Sequence, residues 1–382
     1  MSATPNGLFE IKAKLLCEGL RPSEEVAFLL SGQNPSKVLR GGLSSGGKIE
    51  LISCLRSGID CRKLPVNVPL YYQRTCDLTA RLTICRNLYR KDVQIEIFDK
   101  GEFLCVANII PSPAWYGQTV DDIPITRILT AHNRQLAASV FEDCSLFHIN
   151  EQCQFCVINK SSSDRDLRII RKSPELFLRA LEKIPVSQYG GLTLNGGMTF
   201  ASGRGIERIE PVVRAIHAVY PQLAIAVEIT PPEEVYWIDQ LEDAGAESLM
   251  MNLECWDEVV RDRLIPGKNR FCPRQLYLSA FERAVKTFGR GQVSTCFVVG
   301  TEPMERLKEG IRQVVDIGVI PSPLAGRYFE DIPDYPFVPD VQWQEFVSII
   351  VFAKQQMLRA GLVTVDRAGC VACGMCDAVK DV

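Results

Sequence analysis

The sequence predicts an α/β protein whose central part is a parallel sheet, either open or closed into a barrel. Between residues 126 and 320, short apolar strand patterns alternate with amphipathic helix patterns, which is typical of parallel strands joined by crossover helices. Several helix patterns begin with Ser-Pro, Pro-Glu or Pro-Arg, which suit the first turn of a helix. Because chemistry in such folds belongs to the carboxyl ends of the strands, we expect the functional residues there.

The elements of the central region can be assigned in order. The strand patterns are LAASVF, GLTLNGG, AIAVEIT, SLMMNLECW, VSTCFVVG and the shorter VIPSPLA. The helix patterns between them are SPELFLRALEKI, ERIEPVVRAIHAVY, PEEVYWIDQLEDA, PRQLYLSAFERAVKTF and PMERLKEGIRQVVDI.

The flanking regions differ from the centre in composition. Residues 1–125 mix short helices with the strand patterns RLTICRN, VQIEIFD and EFLCVANII, and DKGE between the last two predicts a hairpin turn. RGGLSSGG, residues 40–47, lacks the Lys-Ser/Thr ending of a phosphate-binding loop, so we interpret it as a mobile loop. Residues 321–382 contain a proline-rich stretch, one long helix (VQWQEFVSIIVFAKQQMLRAG) and a cysteine-rich tail.

Composition and charge exclude several classes of protein. Of the 382 residues, 46% are hydrophobic and 23% are charged, as in an ordinary globular protein. The net charge of −3 argues against a nucleic acid as the main partner. The first residues do not have the layout of a signal peptide, and the apolar run FVSIIVFA is too short to cross a bilayer. We therefore expect a cytoplasmic protein with no membrane partner.

Fifteen cysteines are many for such a protein, and six of them form two compact groups. Without a secretion signal, metal or redox use is favoured over disulfides. Cys255, Cys272 and Cys296 belong to neither group and lie in apolar surroundings, so we interpret them as small core residues.

The first group is CSLFHINEQCQFC, with Cys144, Cys153 and Cys156 just after the first strand pattern. Three cysteines can hold three irons of a [4Fe–4S] cluster and leave the fourth iron open to a ligand. Two alternatives stay open at this point: a zinc site in which His148 is the fourth ligand, and a purely structural loop.

The second group is the tail GCVACGMCDAVKDV, with Cys370, Cys373 and Cys376. Its C-x2-C-x2-C spacing is the start of a ferredoxin-type run, but Lys380 stands near where a fourth cysteine would come. Another residue must complete the site, and Cys17, in the helical pattern EIKAKLLCEGL, is the first candidate. One iron, one zinc and a second cluster all remain possible, as does a disordered tail of free thiols.

The first group and the motifs that follow it resemble the radical S-adenosylmethionine (SAM) enzymes. Their usual loop is C-x3-C-x2-C with an aromatic residue before the last cysteine; here the first spacing is eight residues and the aromatic is Phe155. By the resemblance, LNGGMT supplies the glycine pair that meets the SAM amine, although Met198 replaces the acid that often follows. VVGTEPMERL resembles the later motif beside the adenine. The implied SAM-binding residues are Phe155, Gly196, Gly197, Glu228, Glu254 and Arg263.

The two cysteine groups together, with PAWYG upstream, resemble one family more closely: the methanogenesis marker protein of archaea that methylates an arginine of methyl-coenzyme M reductase. The resemblance implies a partial (β/α)6 barrel (residues 126–320) between a mixed α/β N-terminal domain (1–125) and a small C-terminal metal- and cobalamin-binding region (321–382). It implies that Cys17 and the tail cysteines hold a mononuclear iron. It also implies that Tyr116, otherwise an ordinary interface aromatic, can coordinate the open iron of the cluster when SAM is absent.

The activity implied by this resemblance is a post-translational modification, the methylation of C5 of an arginine in the alpha subunit of methyl-coenzyme M reductase. A radical made from SAM would remove a hydrogen from that carbon and cobalamin would supply the methyl group, with an electron donor as a further partner. An unactivated sp3 C–H bond has no acidic proton, so it needs such a cofactor. The sequence has no Asp-x-His-x-x-Gly motif, so cobalt would lack a histidine of that type; His132 and His217 are interpreted as structural.

Two other functions remain open from the sequence. One is a radical SAM enzyme without cobalamin that modifies a peptide or small molecule and carries an auxiliary iron site. The other is a cluster or metal carrier without radical chemistry, which leaves the glycine pair and the strand-end carboxylates without a role.

Overall fold

A computed structural model of the chain describes residues 5, 7–31, 47–52, 63–68, 77–82, 93–158, 169, 171–327, 336–337, 341–364 and 369–382. In this part of the chain the strands form two large sheets and one small two-stranded ribbon.

The N-terminal sheet has six strands in the order β1-β4-β5-β6-β2-β3. Its strands are β1 (Arg21–Pro22), β2 (Gly47–Ile52), β3 (Lys63–Val68), β4 (Leu78–Leu82), β5 (Gln94–Asp99) and β6 (Glu102–Ile109). Only the β1–β4 pair is parallel. The predicted hairpin is confirmed between β5 and β6, where Lys100 and Gly101 have φ angles of 51° and 87°, as a tight hairpin turn requires. β4 reaches only the first two residues of RLTICRN, and residues 40–46 of the glycine-rich loop lie outside the described part.

Two helices accompany this sheet, α1 (Leu8–Glu18) and α2 (Glu24–Ser31). α1 covers most of the predicted helical pattern and is buried along nearly its whole length, because it packs against β3 and the long C-terminal helix α11 (Trp343–Arg359). It also brings two lysines into the interior, Lys12 and Lys14, each of which contacts a carboxylate. Buried ammonium groups need such partners.

The second sheet confirms the predicted α/β class. Six strands run parallel in chain order, and a short antiparallel strand, β9, lies beside the first of them. The strands are β9 (Thr130–His132), β10 (Gln135–Phe141), β11 (Gly191–Gly196), β12 (Ala224–Glu228), β13 (Ser248–Met250), β14 (Val293–Val299) and β15 (Ile320–Ala325). The ribbon β7 (Thr119–Val120) and β8 (Ile123–Pro124) precedes them. A six-stranded parallel sheet with this order is the predicted partial (β/α)6 barrel.

The helices of this region follow the predicted alternation. They are α3 (Ser145–His148), α4 (Pro174–Glu182), α5 (Ile206–Val219), α6 (Tyr236–Asp243), α7 (Glu258–Leu264), α8 (Pro266–Phe271), α9 (Arg274–Phe288) and α10 (Met304–Ile317). α4 starts as its Ser-Pro pair predicts, because the Ser173 side chain accepts a hydrogen bond from the Leu176 N–H at 3.3 Å. β13 is shorter than its pattern: the chain leaves the sheet after Met250, and Glu254 pairs again with β14 only as an isolated bridge.

The C-terminal region ends inside the barrel. After α11 (Trp343–Arg359), the short helix α12 (Cys370–Cys373) lies against the inner face of the parallel sheet. Gly369, Cys370 and Val371 share a small cavity with inward-facing side chains of β11 to β14, among them Ala226 and Ser248. These side chains are small, so the sheet alone does not fill its interior and the tail occupies the space.

The positions of these elements do not test the two domain boundaries predicted from the sequence. The strands of the N-terminal sheet end at Ile109 and those of the second sheet begin at Thr130, but the boundary near residue 125 and the one near 320 stay predictions.

In the described part of the chain, no helix has the length and apolar composition needed to span a bilayer.

Candidate functional site

The first cysteine group lies in a loop at the carboxyl end of β10, as the sequence predicts. Cys144, Cys153 and Cys156 all line a cavity of about 310 Å³ at that edge of the sheet. Backbone hydrogen bonds fix the loop on two sides: Ser145 N–H donates to the Met198 carbonyl at 2.8 Å, and Gln154 N–H donates to the Leu264 carbonyl at 2.9 Å. The loop is therefore held between the end of β11 and helix α7.

Burial governs the electrostatics of these thiols. It raises the pKa of Cys153, and the nearby carboxylate of Glu254 raises it further. Burial also raises the pKa of Cys156, to about 12, against a lowering by the Ile158 N–H. Buried thiols such as Cys153 and Cys156 are costly to ionise without a cation, and thiolate sulfurs suit a soft metal, so the set of three cysteines fits an iron–sulfur cluster.

His148 does not join the cysteines. It is exposed at the end of α3 and is absent from the described residues that line the cavity. The zinc alternative in which this histidine is the fourth ligand is therefore disfavoured.

The glycine pair at the end of β11 also borders the cavity, and the structure gives it a packing role as well. A Cβ atom on Gly196 would lie 2.2 Å from the Phe141 ring, and one on Gly197 would lie 2.0 Å from the Asp143 carbonyl oxygen. Since the ends of β10 and β11 approach so closely, any larger residue would displace the cysteine loop. Met198 follows them and is buried against the same cavity.

The two predicted strand-end carboxylates both point into the cavity. Glu228, the last residue of β12, accepts a hydrogen bond from Asn252 Nδ2 at 2.6 Å on its Oε1, and burial raises its pKa. Glu254 has a φ of 71°, a left-handed conformation that is rare for a residue with a side chain. Its Oε1 accepts a hydrogen bond from Lys268 Nζ at 2.8 Å, whereas its buried Oε2 has no hydrogen-bond partner. A strained backbone conformation and a buried carboxylate oxygen without a hydrogen-bond partner are both typical of a ligand-binding position.

Lys268 is a residue that the sequence reasoning missed. It is on α8 and lines the cavity. Burial acts to lower its pKa, but the Glu254 carboxylate beside it keeps that pKa raised. Its signal in the sequence was weak, since it follows Pro266 and Gly267 in a short helix that was not predicted.

Arg263, which the resemblance pointed to instead, is exposed on α7 and is not among the described residues that line the cavity. Its contact with SAM stays a prediction.

Tyr116 also lies apart from the cavity lining in the described residues. Its hydroxyl accepts a hydrogen bond from the Ala131 N–H at 2.9 Å, and its ring packs edge-on against Trp115 with 4.7 Å between centroids. Ala131 is in β9, which pairs with the first residues of β10 and therefore lies toward the end of the sheet opposite the cysteine loop. The predicted contact of Tyr116 with the cluster stays a prediction.

The second cysteine group reaches the same cavity, which the sequence did not predict. Cys370 and Cys376 both line it, and Cys370 Sγ is 4.0 Å from Glu228 Oε2. Cys373 faces the other way, with its Sγ 3.7 Å from the His132 carbonyl oxygen. Cys296, predicted to be a core residue, is buried as expected but also lines the cavity.

The tail is fixed by polar contacts with distant segments. Lys12 Nζ of α1 lies 2.5 Å from both the Gly374 carbonyl oxygen and Asp381 Oδ2. Ser322 of β15 hydrogen-bonds the buried Asp377 carboxylate, and burial raises the pKa of Asp377 to about 6. A tail held this firmly is not a disordered segment of free thiols.

The proposed fourth ligand, Cys17, is fully buried on α1 beside Leu16, which lines the cavity. Burial and the neighbouring Glu18 raise the pKa of Cys17. Among the described residues no three histidine, cysteine or acidic side chains converge around one point. The side chains of the tail cysteines would therefore have to adopt other rotamers to hold a single ion. That Cys17 is a ligand of this ion stays a prediction.

Comparison with known proteins gives remote matches only. No family model matches the chain. A curated relative, the bacteriochlorophyllide c C-7(1)-hydroxylase of Chlorobaculum limnaeum, is 23% identical over 249 residues, which are 60% of this chain and 62% of that protein. The chain thus matches less than two thirds of that relative's length.

Similar solved structures include HydG, a maturase of the [FeFe]-hydrogenase, with a TM-score of 0.48 and 15% identity over 63% of this chain and 55% of that one. A radical SAM methyltransferase from Sphaerobacter thermophilus has a TM-score of 0.45 and 15% identity over 74% and 76% of the two chains. At this level of similarity, the assignment of the fold rests on the strand order and direction of the chain's own sheet.

Proposed function

We propose that this protein is a radical SAM enzyme. The observation that carries the proposal is a single cavity at the carboxyl edge of a parallel sheet that combines three thiols of one loop with two carboxylates, those of Glu228 at the end of β12 and of the buried Glu254 after β13. A three-thiol loop leaves one iron of a [4Fe–4S] cluster without a protein ligand, and that iron is where SAM would bind. When bound, the cluster would supply one electron to cleave SAM and cobalamin would carry a methyl group.

The chain's own residues would bind and orient SAM. The free Oε2 of Glu254 is a hydrogen-bond acceptor for an amine or a ribose hydroxyl. Lys268, 2.8 Å from the other oxygen of that carboxylate, presents a positive charge at the same wall and suits the SAM carboxylate. Gly196 and Gly197 leave the backbone of β11 open to the ligand. The aromatic pair Phe155 and Phe337, with centroids 5.7 Å apart, would limit the entry of water and oxygen.

For the reaction itself, we propose the cobalamin-dependent methylation of C5 of an arginine in the alpha subunit of methyl-coenzyme M reductase. Support comes from the sequence resemblance and from the presence of both cysteine groups at one cavity. None of the chain's three histidines lines that cavity: His132 is buried beside Thr130, His148 is exposed, and His217 packs against Gly245. Cobalamin bound here would therefore have no histidine on its lower face, which agrees with the absence of the histidine motif.

A second candidate function is the cobalamin-independent modification of a small molecule at an unactivated carbon. Its small-molecule substrate class is favoured by the curated relative, whose name describes a C-7(1)-hydroxylase of bacteriochlorophyllide c. In that case the tail site would serve as an auxiliary metal centre.

The experiment is anaerobic reconstitution with iron, sulfide and cobalamin, followed by incubation with SAM, a one-electron reductant and an arginine peptide of the reductase. We expect 5′-deoxyadenosine and a peptide heavier by one CH2 group. Formation of 5′-deoxyadenosine with no bound cobalt and an unchanged peptide would favour the second candidate. A loaded cluster that gives no 5′-deoxyadenosine would contradict the radical SAM assignment and favour a metal carrier.

A further inference from the structure

Arg261, on α7, is fully buried, although it is not among the described residues that line the main cavity. Its ion pair with the exposed Glu258 is 4.0 Å long, so its charge depends mainly on uncharged oxygens. A buried guanidinium needs such hydrogen bonds. It donates to four oxygens at 2.8–3.1 Å: the carbonyl oxygens of Leu253, Cys255 and Cys272, and Asn269 Oδ1.

Two of these hydrogen bonds lie on either side of Glu254. Arg261 Nη1 donates to the Leu253 carbonyl oxygen at 2.9 Å and to the Cys255 carbonyl oxygen at 3.1 Å. The residue between them is Glu254, whose φ of 71° is rare for a residue with a side chain. Such a conformation persists only where the surrounding structure enforces it. One guanidinium nitrogen therefore joins the carbonyl groups before and after the strained residue.

The other two hydrogen bonds reach the helix that carries Lys268. Arg261 Nε donates to Asn269 Oδ1 at 2.8 Å, and Nη2 donates to the carbonyl oxygen of Cys272, just after α8. Lys268 precedes Asn269 in α8, and its Nζ is 2.8 Å from Glu254 Oε1. Arg261 thus connects the two segments whose side chains form the Glu254–Lys268 ion pair at the cavity wall.

We propose that Arg261 is a positioning residue of the SAM site: by joining residues 253–255 to α8, it keeps Glu254 and Lys268 paired and leaves Glu254 Oε2 available to the ligand. The proposal rests on the SAM-binding role given to this pair under the proposed function. Small displacements of a binding group weaken its contact with a ligand strongly. The resemblance pointed to Arg263, two residues further along α7, which faces the solvent while Arg261 faces the interior.

The test compares SAM affinity in two backgrounds, by equilibrium binding to the full chain reconstituted with iron and sulfide. Arg261→Lys keeps the charge but lacks the planar set of donors that bridges four oxygens. We expect it to weaken SAM binding about tenfold in the parent chain. In the Glu254→Gln background the same change should have an effect of less than about twofold, because changes that act through one group are not additive.

A milder variant removes only the link to α8. Asn269→Leu deletes the acceptor of Arg261 Nε and leaves the guanidinium in place. We expect it to weaken SAM binding about threefold in the parent chain, and again less in the Glu254→Gln background. If Arg261→Lys does not fold, this variant decides the question.

The matched control is Arg283→Gln. Arg283 of α9 hydrogen-bonds Asp239 of α6, and neither is among the described residues that line the cavity. Denaturant unfolding should show a loss of stability in this variant, whereas its affinity for SAM should equal that of the parent. The control therefore separates a general loss of stability from a loss of positioning.

Two outcomes would overturn the proposal. One is an unchanged SAM affinity in folded, iron-loaded Arg261→Lys or, if that variant does not fold, in Asn269→Leu. The other is an equal loss of affinity in the parent and Glu254→Gln backgrounds, which would mean that the arginine does not act through Glu254. Formation of 5′-deoxyadenosine by the parent chain tests the proposed function separately. A parent that cleaves SAM while the variants bind it normally would refute the inference alone, and a loaded parent that neither binds nor cleaves SAM would refute both.

Discussion

The two cysteine triads of this protein share a C-x2-C pair, but they come from different parts of the chain and are held in the fold by different contacts. The first, Cys144, Cys153 and Cys156, is in a loop that leaves the barrel at the carboxyl end of β10. The second, Cys370, Cys373 and Cys376, is in a tail that enters the barrel from another part of the chain. The loop is held by backbone hydrogen bonds to neighbouring strand and helix ends, whereas the tail is held by buried charged side chains.

This difference places the two triads among different side chains. The thiols of the loop triad lie near Glu254, a buried acid whose Oε2 has no hydrogen-bond partner, as the proposed SAM-binding site needs. The tail triad lies among paired charges: Lys12 is bound to Asp381, and Cys370 Sγ is 4.0 Å from Glu228 Oε2. In the proposed function, the loop triad would hold the cluster that binds SAM and the tail an auxiliary centre, and these fixed charges would tune each one differently.

The largest expected effect comes from removing one ligand of the loop triad. Cys153→Ala should reduce the formation of 5′-deoxyadenosine to background, since the proposed cluster loses one of its three protein ligands. The tail centre should keep its spectrum. The measurement is chromatography of the SAM products after anaerobic incubation with reductant.

The control for that change is Cys272→Ala. Cys272 is equally buried, but its thiol points to the Pro231 carbonyl oxygen at 3.7 Å and not to the cavity. SAM cleavage that survives Cys153→Ala would refute the cluster assignment.

The second effect concerns the way the tail is held. Lys12→Met leaves Asp381 and the Gly374 carbonyl without their buried partner, and breaking such a pair costs about 3–5 kcal/mol. Denaturant unfolding of the metal-free chain should show that loss, and the metal content of the tail should fall. Lys308→Met, which breaks an exposed pair with Glu305, should cost about 0–1 kcal/mol. Equal effects of the two changes would mean that the tail is not anchored through α1.

The third effect sharpens the assignment of the SAM-binding cation. Lys268→Gln should weaken SAM binding about tenfold to a hundredfold, because a charge-assisted hydrogen bond in a buried site is lost. Arg263→Gln is the matched control, since Arg263 is exposed on α7. Equilibrium binding of SAM to the reconstituted chain decides between them, and a larger loss in Arg263→Gln would support the assignment drawn from the resemblance.

The smallest effect is expected at the aromatic pair Phe155 and Phe337, which lines the cavity beside the loop triad. Phe155→Leu removes the edge-on contact with Phe337, which is about 0.5–1.5 kcal/mol. The cluster should bleach about twofold to tenfold faster in air, followed by its visible absorbance. Phe200→Leu, at an exposed position that contacts Phe271, should not change that rate. A faster rate in this control would mean that the protection is not specific to Phe155 and Phe337.

Much of the fold was predictable because its signals are local. Each of the six parallel strands coincides with an apolar run, and the longer helices α4, α5, α6, α9 and α10 each have their own amphipathic pattern. The exception is β13, where the nine-residue, mostly apolar pattern SLMMNLECW predicted a long strand and only Ser248–Met250 joins the sheet. The backbone turns away there so that Glu254 can adopt its left-handed conformation beside the cavity, and apolar content alone does not encode that turn.

The candidate site was predicted in part for the same reason. The loop cysteines, the glycine pair and the two strand-end acids follow from position along the strands, and all of them line the cavity. Lys268, which lines it too, and Arg327 were missed because a lone basic residue in a loop or short helix has no distinguishing pattern. Arg263 was chosen by resemblance, and its helix presents it to the solvent.

By itself, the sequence determined the alternation of strands and helices, the edge at which chemistry is possible and the three thiols that stand there, because each depends on residues close together in the chain. Only the tertiary structure decided that Cys370 and Cys376 of the tail share that cavity. Lys12 and Gly374 are 362 residues apart and meet in the folded protein. Contacts of that separation depend on the shape of the interior, where small side chains of the parallel strands leave space for the tail, and no local pattern specifies that shape.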